Sequence, residues 1–271
     1  MTKLDGAVAV VTGGGSGIGR AACIALARHG CTVTVADIDA VRADHVAQEI
    51  VTAGGRAHGV VCDVTHDNAH TLLLDQILDS YGRVDIVMNN VGVIAAGQPE
   101  QIPLPEWLRV IDINLISVLR SNAVFVPHLL AQGHGHLVYT ASSEGLFRAQ
   151  GNMAPYSTTK AAVVALADAM WRQLRPNGIG VTLLVPGPVV TNIVEQIRVF
   201  GDPGPFAGPE LPLIEADVVG EQVVDAIRSG HYVQYTHKEL GQLATQAAYD
   251  RQSFLQSQLD RMPADLLGQS L

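Results

Sequence analysis

The chain has 271 residues, 48% of them apolar, which is enough for one sizeable core. Its formal net charge of -9, without a dense run of Lys or Arg, argues against nucleic acid and anionic membrane surfaces as partners. We see neither a signal-peptide hydrophobic segment nor an apolar run close to the ~20 residues of a membrane-spanning helix, and the three cysteines are unclustered, as is typical of reduced thiols. We therefore expect a cytoplasmic protein that binds neither nucleic acid nor membrane.

Short apolar strands alternate with helical segments along the chain. Strands are predicted over residues 7–11, 31–37, 58–64, 84–90, 135–142, 180–187 and 231–236. Helices are predicted over residues 18–29, 39–55, 68–82, 105–132, 154–170 and 215–228. Strands that are joined through helices by short links call for a parallel sheet with right-handed crossovers. The prediction is a single α/β domain over residues 1–271, with a doubly wound parallel β-sheet between two layers of helices.

A glycine-rich turn, TGGGSGIG, separates the first strand from the first helix. Glycines let the backbone turn tightly and approach a ligand closely, and the following helix start offers free N–H groups and a positive dipole end. The spacing Gly13-x-x-x-Gly17-x-Gly19 after a buried strand indicates a pyrophosphate site rather than a plain strand-to-helix turn. The residues of this turn that we predict to bind a nucleotide are Gly13, Gly15, Ser16, Gly17, Ile18 and Gly19.

A carboxylate, Asp37, ends the second strand about 20 residues after the glycines. It is placed to accept hydrogen bonds from the adenosine ribose hydroxyls and to repel a 2′-phosphate. Neither Ser16 nor Ile38 offers a 2′-phosphate a basic partner, so the sequence favours NAD over NADP as the cofactor. Asp63, with Val64 at the end of the third strand, is placed to meet the adenine, although a helix-capping or turn role fits it equally well.

Two polar residues open the helix after the fifth strand, at the sheet edge where ligands meet a sheet of this kind. Tyr156 and Lys160 are four residues apart and thus on one helix face. A phenol with a pKa of ~10 is a poor base at neutral pH, but a neighbouring ammonium lowers that pKa, and so would the positive nicotinamide of NAD⁺. The pair favours acid–base chemistry in which a serine holds the substrate oxygen and hydride passes between the substrate carbon and the nicotinamide.

Several motifs occur together in one order along the chain: TGGGSGIG, NNVG, Asn114, a serine before EG, YSTTK and PGPVVT. On these motifs the chain resembles the short-chain dehydrogenase/reductase family over roughly residues 4–236. The resemblance implies a Rossmann-like fold, a nicotinamide cofactor and a Ser–Tyr–Lys centre extended by Asn. It also implies a homotetramer or homodimer, built partly on the helices around Asn114 and after Tyr156.

The same resemblance implies a role for each residue of the motifs. Tyr156 would be the general acid/base, Lys160 would assist it and hold the nicotinamide ribose, and Asn114 would support Lys160 through a water. Thr191 is similar to the residue that binds the carboxamide. The other implied cofactor contacts are Asn90, Gly92, Pro186, Gly187 and Val189.

The serine of this centre has two candidates. Ser142 stands 28 residues after Asn114 and three before Gly145, as the family pattern has it. It lies 14 residues before Tyr156, however, where relatives usually show 13, and Ser143 fits that count. Because strand register fixes the end attached to the strand, whereas a loop absorbs an insertion, Ser142 is the predicted catalytic serine.

The remaining segments point to substrate binding rather than to further chemistry. A Gly- and Pro-rich stretch indicates a substrate lid over about residues 190–215, and a helical carboxy-terminal extension follows over about 237–271. In the loop before Tyr156, Glu144 is expected to face solvent, with the substrate as the alternative. Arg148 is expected to be solvated, with recognition of an acidic substrate as the alternative. His134 and His136 lie at the sheet end away from the chemistry and lack further ligands, so no metal site is predicted.

The favoured function is an NAD-dependent oxidoreductase that interconverts a secondary alcohol and a ketone on a small, hydrophobic substrate. Two alternatives stay open. One is an NADPH-dependent ketoreductase such as a 3-oxoacyl carrier-protein reductase, against which Asp37 argues. The other is a nucleotide-sensing binding protein without catalysis, against which the intact set of Ser142, Tyr156 and Lys160 argues.

Overall fold

The computed structural model of the chain describes residues 2–148, 151–204 and 211–260. Within these ranges the strands are β1 (Val8–Thr12), β2 (Thr32–Asp37), β3 (Arg56–Val61), β4 (Ile86–Asn89), β5 (Ala95–Ala96), β6 (Gly135–Thr140), β7 (Ile179–Val185), β8 (Val189–Val190), β9 (Arg198–Val199), β10 (Ile214–Glu215) and β11 (Val233–Tyr235). The α-helices are α1 (Gly17–Arg28), α2 (Ala40–Thr52), α3 (Ala69–Tyr81), α4 (Leu104–Ile111), α5 (Ser117–Gln132), α6 (Ala154–Leu174), α7 (Ala216–Ser229), α8 (Lys238–Tyr249) and α9 (Arg251–Leu259).

Seven strands form a central, fully parallel sheet in the order β11-β7-β6-β4-β1-β2-β3. The chain winds outward from β1 in one direction through β2 and β3, and then in the other direction from β4 onward. The order therefore reverses between β1 and β4, and such a switch point opens a crevice at the carboxyl ends of the strands. This confirms the predicted doubly wound, Rossmann-like α/β fold.

Helices cover both faces of the sheet because its inner strands are apolar on both sides. Consecutive residues of β1 point to opposite faces. Val11 packs in the core that includes Leu26 of α1 and Val223 of α7, whereas Val10 packs in the core that includes Phe125 of α5 and Val163 of α6. The two cores hold the three layers together and fix the strand ends that carry the site.

The third strand begins and ends earlier than the apolar residues of the sequence suggest. It was predicted over residues 58–64, but β3 runs over Arg56–Val61. This strand lies at the sheet edge and pairs with β2 alone, so it does not need a continuous apolar run. Arg56 instead anchors its start, since its guanidinium donates to the Thr32 hydroxyl at 2.8 Å and to the Gly30 carbonyl at 2.8 Å.

The helix predicted over 105–132 is continuous but contains a π-helical turn at Asp112–Ile116. The whole run, Leu104–Gln132, has 29 residues and is long and apolar enough to cross a membrane, by length and composition only. No run of this kind is expected from the sequence. Core helices pass the same test, and this one places Val118, Phe125 and Leu129 in the core beside the sheet. Packing on the sheet thus accounts for the apolar residues on its buried face.

The segment after β7 returns across the strand ends through two small parallel pairs. β8 pairs with β10, and β9 pairs with β5. The predicted lid, about 190–215, falls in this segment, and its residues 205–210 lie outside the described residues. The described part is fixed to the body by main-chain bonds such as that from the Phe200 N–H to the Ala96 carbonyl, 2.8 Å long.

We predict that Gly145→Ala lowers the free energy of unfolding by about 1–3 kcal/mol. A Cβ at Gly145 would lie 2.3 Å from the Lys160 carbonyl carbon, so the turn after β6 and helix α6 would have to separate. Urea denaturation of both proteins measures the difference. Gly151→Ala is the matched control, because among the described residues its added Cβ meets no atom within 4 Å. Equal losses for the two variants would contradict this account of the close approach.

Candidate active site

A cavity of about 780 Å³ opens where the carboxyl ends of the central strands meet. The structure brings most of the predicted site residues to its wall. These are Gly13, Ser16, Gly17, Ile18, Asp37, Ile38, Asp63, Val64, Asn90, Gly92, Ser142, Tyr156, Lys160, Pro186, Gly187, Val189 and Thr191. Gly15, Gly19 and Asn114 are buried and do not belong to the wall itself.

The glycine turn is built for close approach of the backbone. Gly13 and Gly17 have φ values of 65° and 50°, in the region that disfavours residues with a Cβ. At Gly19 a Cβ would lie 2.0 Å from the Gly13 carbonyl oxygen, so only glycine lets α1 begin this close to the turn. The first N–H groups of α1 consequently face the cavity, and this geometry fits a pyrophosphate.

Asp37 lies at the end of β2, and only 6% of its surface is exposed. Its carboxylate accepts the Gly15 N–H on one oxygen and the Asp39 N–H on the other, both at 3.0 Å. These two bonds hold the side chain at the cavity wall. Each carboxylate oxygen has room for a second hydrogen bond, so a ribose hydroxyl fits there.

A basic group, which positions 16 and 38 do not supply, nevertheless stands beside Asp37. Arg42 lies in the first turn of α2 and also reaches the cavity wall, with Nη2 at 3.6 Å from Asp37 Oδ1 and Nε at 3.2 Å from Asp39 Oδ2. The sequence did not indicate Arg42, because this residue lies five positions after Asp37. It reaches the carboxylate only because the first turn of α2 folds back towards β2. The adenosine end of the cavity thus carries a cation as well as a carboxylate.

Asp63 follows β3 and lies on the cavity wall, with its side chain partly used in a turn. Its Oδ1 accepts the Thr65 N–H at 3.0 Å and the Thr65 hydroxyl at 2.7 Å. Burial acts to raise the pKa of Asp63, but the hydrogen bonds from Thr65 outweigh it and leave the pKa below its usual value. The turn role is therefore present, and contact with an adenine stays a prediction.

Three strand ends are tied together by Asn90. Its side-chain amide donates to the Gly13 carbonyl at 3.3 Å, and its amide oxygen accepts the Thr140 hydroxyl at 3.4 Å. The main-chain N–H of Asn90 donates to the Thr12 hydroxyl at 3.3 Å. Asn90 thereby fixes the glycine turn relative to β6, the strand that leads to the serines.

Tyr156 and Ser142 form a hydrogen-bonded pair inside the cavity. The pKa of the Tyr156 phenol is raised to about 12, chiefly by burial. The hydrogen bond with Ser142 acts to lower this pKa, and the charge of Glu144 acts to raise it further. Ser143 also reaches the wall, and its main-chain N–H donates to the Pro186 carbonyl at 2.9 Å. Of the two serines, the structure gives the bond to the phenol to Ser142.

Lys160 lies one turn along α6 with its ammonium buried under the tyrosine. Its Nζ donates to the Thr140 carbonyl at 2.8 Å and is 5.8 Å from the centroid of the Tyr156 ring. Burial lowers the pKa of Lys160 to about 8. For the protein groups taken alone, the expected lowering of the phenol pKa is therefore wrong, because burial raises that pKa more than the hydrogen bond with Ser142 lowers it.

Asn114 lies in the π-helical turn and is completely buried. Its amide oxygen accepts the Val93 N–H at 2.8 Å, and its amide nitrogen donates to the Val93 carbonyl at 3.0 Å and to the Thr159 hydroxyl at 3.1 Å. Thr159 precedes Lys160 on α6, so Asn114 joins this helix to the loop after β4. A link from Asn114 to Lys160 through water stays a prediction.

Glu144 and Arg148 are not solvated, and both expectations for them are wrong. They form a π-helical turn directly after the serines, and their side chains are 9% and 12% exposed. Arg148 Nε is 3.3 Å from Glu144 Oε1, and both residues lie on the cavity wall. The wide π-turn packs on α6 and turns this ion pair inward. The extra residue between Ser142 and Tyr156 does not by itself indicate that conformation.

The carboxy-terminal helices hold this π-turn from outside. Phe254 of α9 packs edge-on against Phe147, with ring centroids 6.0 Å apart, and Leu240 of α8 joins the same cluster. Phe147 is 1% exposed. The predicted carboxy-terminal extension is thus helical over 238–259 and supports the cavity, and residues 261–271 lie outside the described part.

Of the histidines that the structure describes, none lies on the cavity wall, and of the cysteines Cys62 alone does. His136 is buried at the opposite end of β6, where its ring bonds the Thr182 hydroxyl at 2.8 Å and burial lowers its pKa to about 3. Cys23, Cys31 and Cys62 are buried free thiols. Among the described residues no group of three or more His, Cys, Asp or Glu is arranged to hold a metal ion.

Known proteins share this sequence pattern and architecture. The model of the short chain dehydrogenase family matches residues 7–200. The 7alpha-hydroxysteroid dehydrogenase of Escherichia coli strain K12 is 32% identical over 195 residues, which are 72% of this chain and 76% of that protein. The crystal structure of a short chain dehydrogenase/reductase from Burkholderia phymatum in complex with NAD has a TM-score of 0.84 and 29% identity, and the match covers 97% of this chain and 98% of that one.

One relative is much longer than this chain. The probable oxidoreductase EphD of Mycobacterium tuberculosis strain H37Rv is 34% identical over 184 residues, which are 68% of this chain. The match spans only 31% of EphD.

We predict that Asn114→Leu lowers the free energy of unfolding by about 2–5 kcal/mol, because it leaves the Val93 main chain and the Thr159 hydroxyl without their partner. Asn122→Leu is the matched control. Asn122 accepts one hydrogen bond, from the Tyr139 hydroxyl at 2.8 Å, so its replacement should cost about 1–2 kcal/mol. Chemical denaturation compares the two, and a loss for Asn114→Leu no larger than that of the control would contradict the joining role.

Proposed function

The chain belongs to the short-chain dehydrogenase family, and we propose that it is an NAD-dependent oxidoreductase that interconverts a secondary alcohol and a ketone. The observation that carries this proposal is the hydrogen-bonded pair of Ser142 and Tyr156 beside the buried Lys160, on the wall of the same cavity as the glycine turn. A binding protein has no need for a phenol and an ammonium buried side by side at a measurable cost in desolvation.

Each side chain of the pair has a part in moving the proton. Ser142 donates a hydrogen bond to the substrate oxygen, and Tyr156 removes or returns the hydroxyl proton of that oxygen. When bound, the nicotinamide ring accepts or donates the hydride. Lys160 favours the phenolate by its charge and holds the nicotinamide ribose, and Asn114 keeps Lys160 and the loop after β4 in register through Thr159.

The glycine turn and Asp37 support NAD as the cofactor. A 2′-phosphate would place its charge beside the Asp37 carboxylate, whereas the hydroxyls of an unmodified ribose would be accepted by it. Arg42 is the observation that favours the second candidate, an NADPH-dependent ketoreductase, because a guanidinium is a good partner for a phosphate. Asp37 and Asp39 already hold that guanidinium, and this leaves NAD as the better-supported cofactor.

The substrate is a small, hydrophobic alcohol or ketone. Tyr156 packs with Ile94 and Met153, and Ile193 and Ile197 of the lid segment cover the same cluster. An apolar carbon skeleton beside the reacting oxygen would bury surface against these side chains. In further proposals that the family resemblance supports, the enzyme is cytoplasmic and a homodimer or homotetramer.

The test of this function is NADH production over a panel of secondary alcohols, with three variants. We predict that Tyr156→Phe still binds NADH, as measured by fluorescence, but loses at least about 10³-fold in kcat, because general acid–base catalysis and substrate positioning fail together. Ser142→Ala should lose about 10²-fold or more, whereas Ser143→Ala, which keeps its main-chain bond to Pro186, should lose less than about tenfold. Turnover unchanged in Tyr156→Phe would sink the proposed function, and the reverse order of the serines would sink the assignment of Ser142.

The cofactor proposal has its own test in Asp37→Asn. The amide keeps hydrogen-bonding capacity but removes the charge, so the ratio of kcat/KM for NAD to that for NADP should fall by at least about tenfold. In the double variant with Arg42→Gln this shift should largely disappear, since the cation that would bind the 2′-phosphate is gone. A wild-type preference for NADP, or an unchanged ratio in Asp37→Asn, would overturn the role given to Asp37.

A further inference from the structure

A second group of charged residues lies on the cavity wall, away from the serine, tyrosine and lysine. Arg109 of α4 and Arg198 of β9 both reach the wall, and both are bound to the buried carboxylate of Glu106. Arg109 places Nη2 at 2.6 Å and Nε at 2.8 Å from Glu106 Oε1, and Arg198 places Nη1 at 3.1 Å from Oε2. One carboxylate thus holds two guanidinium groups.

This arrangement leaves positive charge facing the cavity. Glu106 compensates one of the two guanidiniums, so the cluster of Glu106, Arg109 and Arg198 carries a net charge of +1. Burial raises the pKa of Glu106, but the hydrogen bonds and charges of the two arginines outweigh this and keep the carboxyl ionised. The other arginine on this side of the cavity, Arg148, is compensated by Glu144.

Donor groups are also left over. Arg109 uses Nε and Nη2 for Glu106, and Arg198 uses Nη1. Within the described part of the chain, Nη1 of Arg109 and the Nε and Nη2 of Arg198 make no other hydrogen bond. The side chains are 25% and 59% exposed, so these donors are open to a ligand that enters the cavity.

The cluster adjoins the apolar part of the substrate pocket. Arg198 is held in place because its main-chain N–H donates to the Ile94 carbonyl at 3.2 Å, and Ile94 packs with Tyr156 and Met153. Ile197, next to Arg198, covers the same apolar cluster. A molecule that lies along this wall from Tyr156 therefore meets aliphatic side chains first and guanidinium groups next.

We infer that Glu106, Arg109 and Arg198 form an anion subsite that binds a carboxylate at the far end of an apolar alcohol or ketone substrate. The planar guanidinium matches the two oxygens of a carboxylate as it matches a phosphate, and the net charge of +1 on the cluster suits the single charge of a carboxylate. A second guanidinium nearby allows two-point binding. This inference rests on the proposed function, whose substrate class it narrows to hydroxy or oxo acids with a hydrophobic skeleton. Glu106 is a positioning residue in it, since it orients the arginines and does not touch the ligand.

The experiment compares matched substrates in three proteins. The probes are cyclohexanols that carry a carboxylate on tethers of one to four carbons, together with the methyl ester of each. In the wild type, kcat/KM for the best carboxylate should exceed that for its ester by at least about tenfold, mainly through KM. In Arg109→Gln, which keeps the bond between Arg198 and Glu106, that ratio should fall at least about fivefold.

Arg228→Gln is the matched control. Arg228 lies on α7 away from the cavity wall and forms a pair with Asp225 three residues apart, as Arg109 does with Glu106. It removes the same charge from the protein and should keep the wild-type ratio. The subsite would be overturned if the wild type used the esters as well as the carboxylates. It would also be overturned if Arg109→Gln kept the wild-type preference for the carboxylate.

A second measurement separates this inference from the proposed function. If the wild type oxidises neither these cyclohexanols nor any secondary alcohol of the panel, the proposed function fails, but the subsite is still decided by calorimetry. The probes are then the cyclohexyl carboxylates without a hydroxyl group and their primary amides, titrated in the presence of NAD⁺. Tighter binding of the carboxylates by the wild type, weakened in Arg109→Gln and kept in Arg228→Gln, supports the subsite, and equal binding of carboxylate and amide overturns it.

Discussion

The site depends on the close approach between the turn after β6 and the first turns of α6. Gly145 makes this approach possible, because any Cβ there would strike the main chain at Lys160. The approach buries Ser142, Tyr156 and Lys160 together, and burial then works against the chemistry. It raises the pKa of the phenol to about 12, which makes the phenol alone a poor base at neutral pH, and it lowers that of the ammonium to about 8.

The two ends of the cavity differ in charge, and each end fits the part of the reaction that the proposal gives it. Asp37 and Asp63 lie at the end that would hold adenosine. Arg109 and Arg198 lie at the other end, with one carboxylate between them. The lid segment contributes Ile197 and Arg198 to the second end, and this is where a substrate rather than a cofactor would be distinguished.

The parts of this account that could be predicted are those fixed by local sequence. The glycine turn, Asp37 and the Tyr156–Lys160 pair are each set by a strand or helix and its immediate flank, and the parallel sheet follows from the alternation of elements. The sequence does not predict the places of four residues in the site, namely Arg42, Glu144, Arg148 and Phe254. Their roles depend on a turn that folds inward or on contacts between distant segments, such as Phe254 with Phe147. The direction of the Tyr156 pKa could not be predicted either, since it depends on how deeply the pair is buried.

In the proposed reaction, the charge of Lys160 and that of bound NAD⁺ together lower the pKa of the buried Tyr156 phenol into a useful range. The most direct measurement is the pH dependence of kcat/KM for alcohol oxidation, at saturating NAD⁺, in the wild type and in Lys160→Met. Tyr156 acts as a base only without its proton, so the rate rises with pH through its pKa, and a cation beside it moves that rise to lower pH. The rise of kcat/KM with pH in Lys160→Met should lie at least about one pH unit above that of the wild type. A rise at the same pH in both proteins would contradict this role of Lys160.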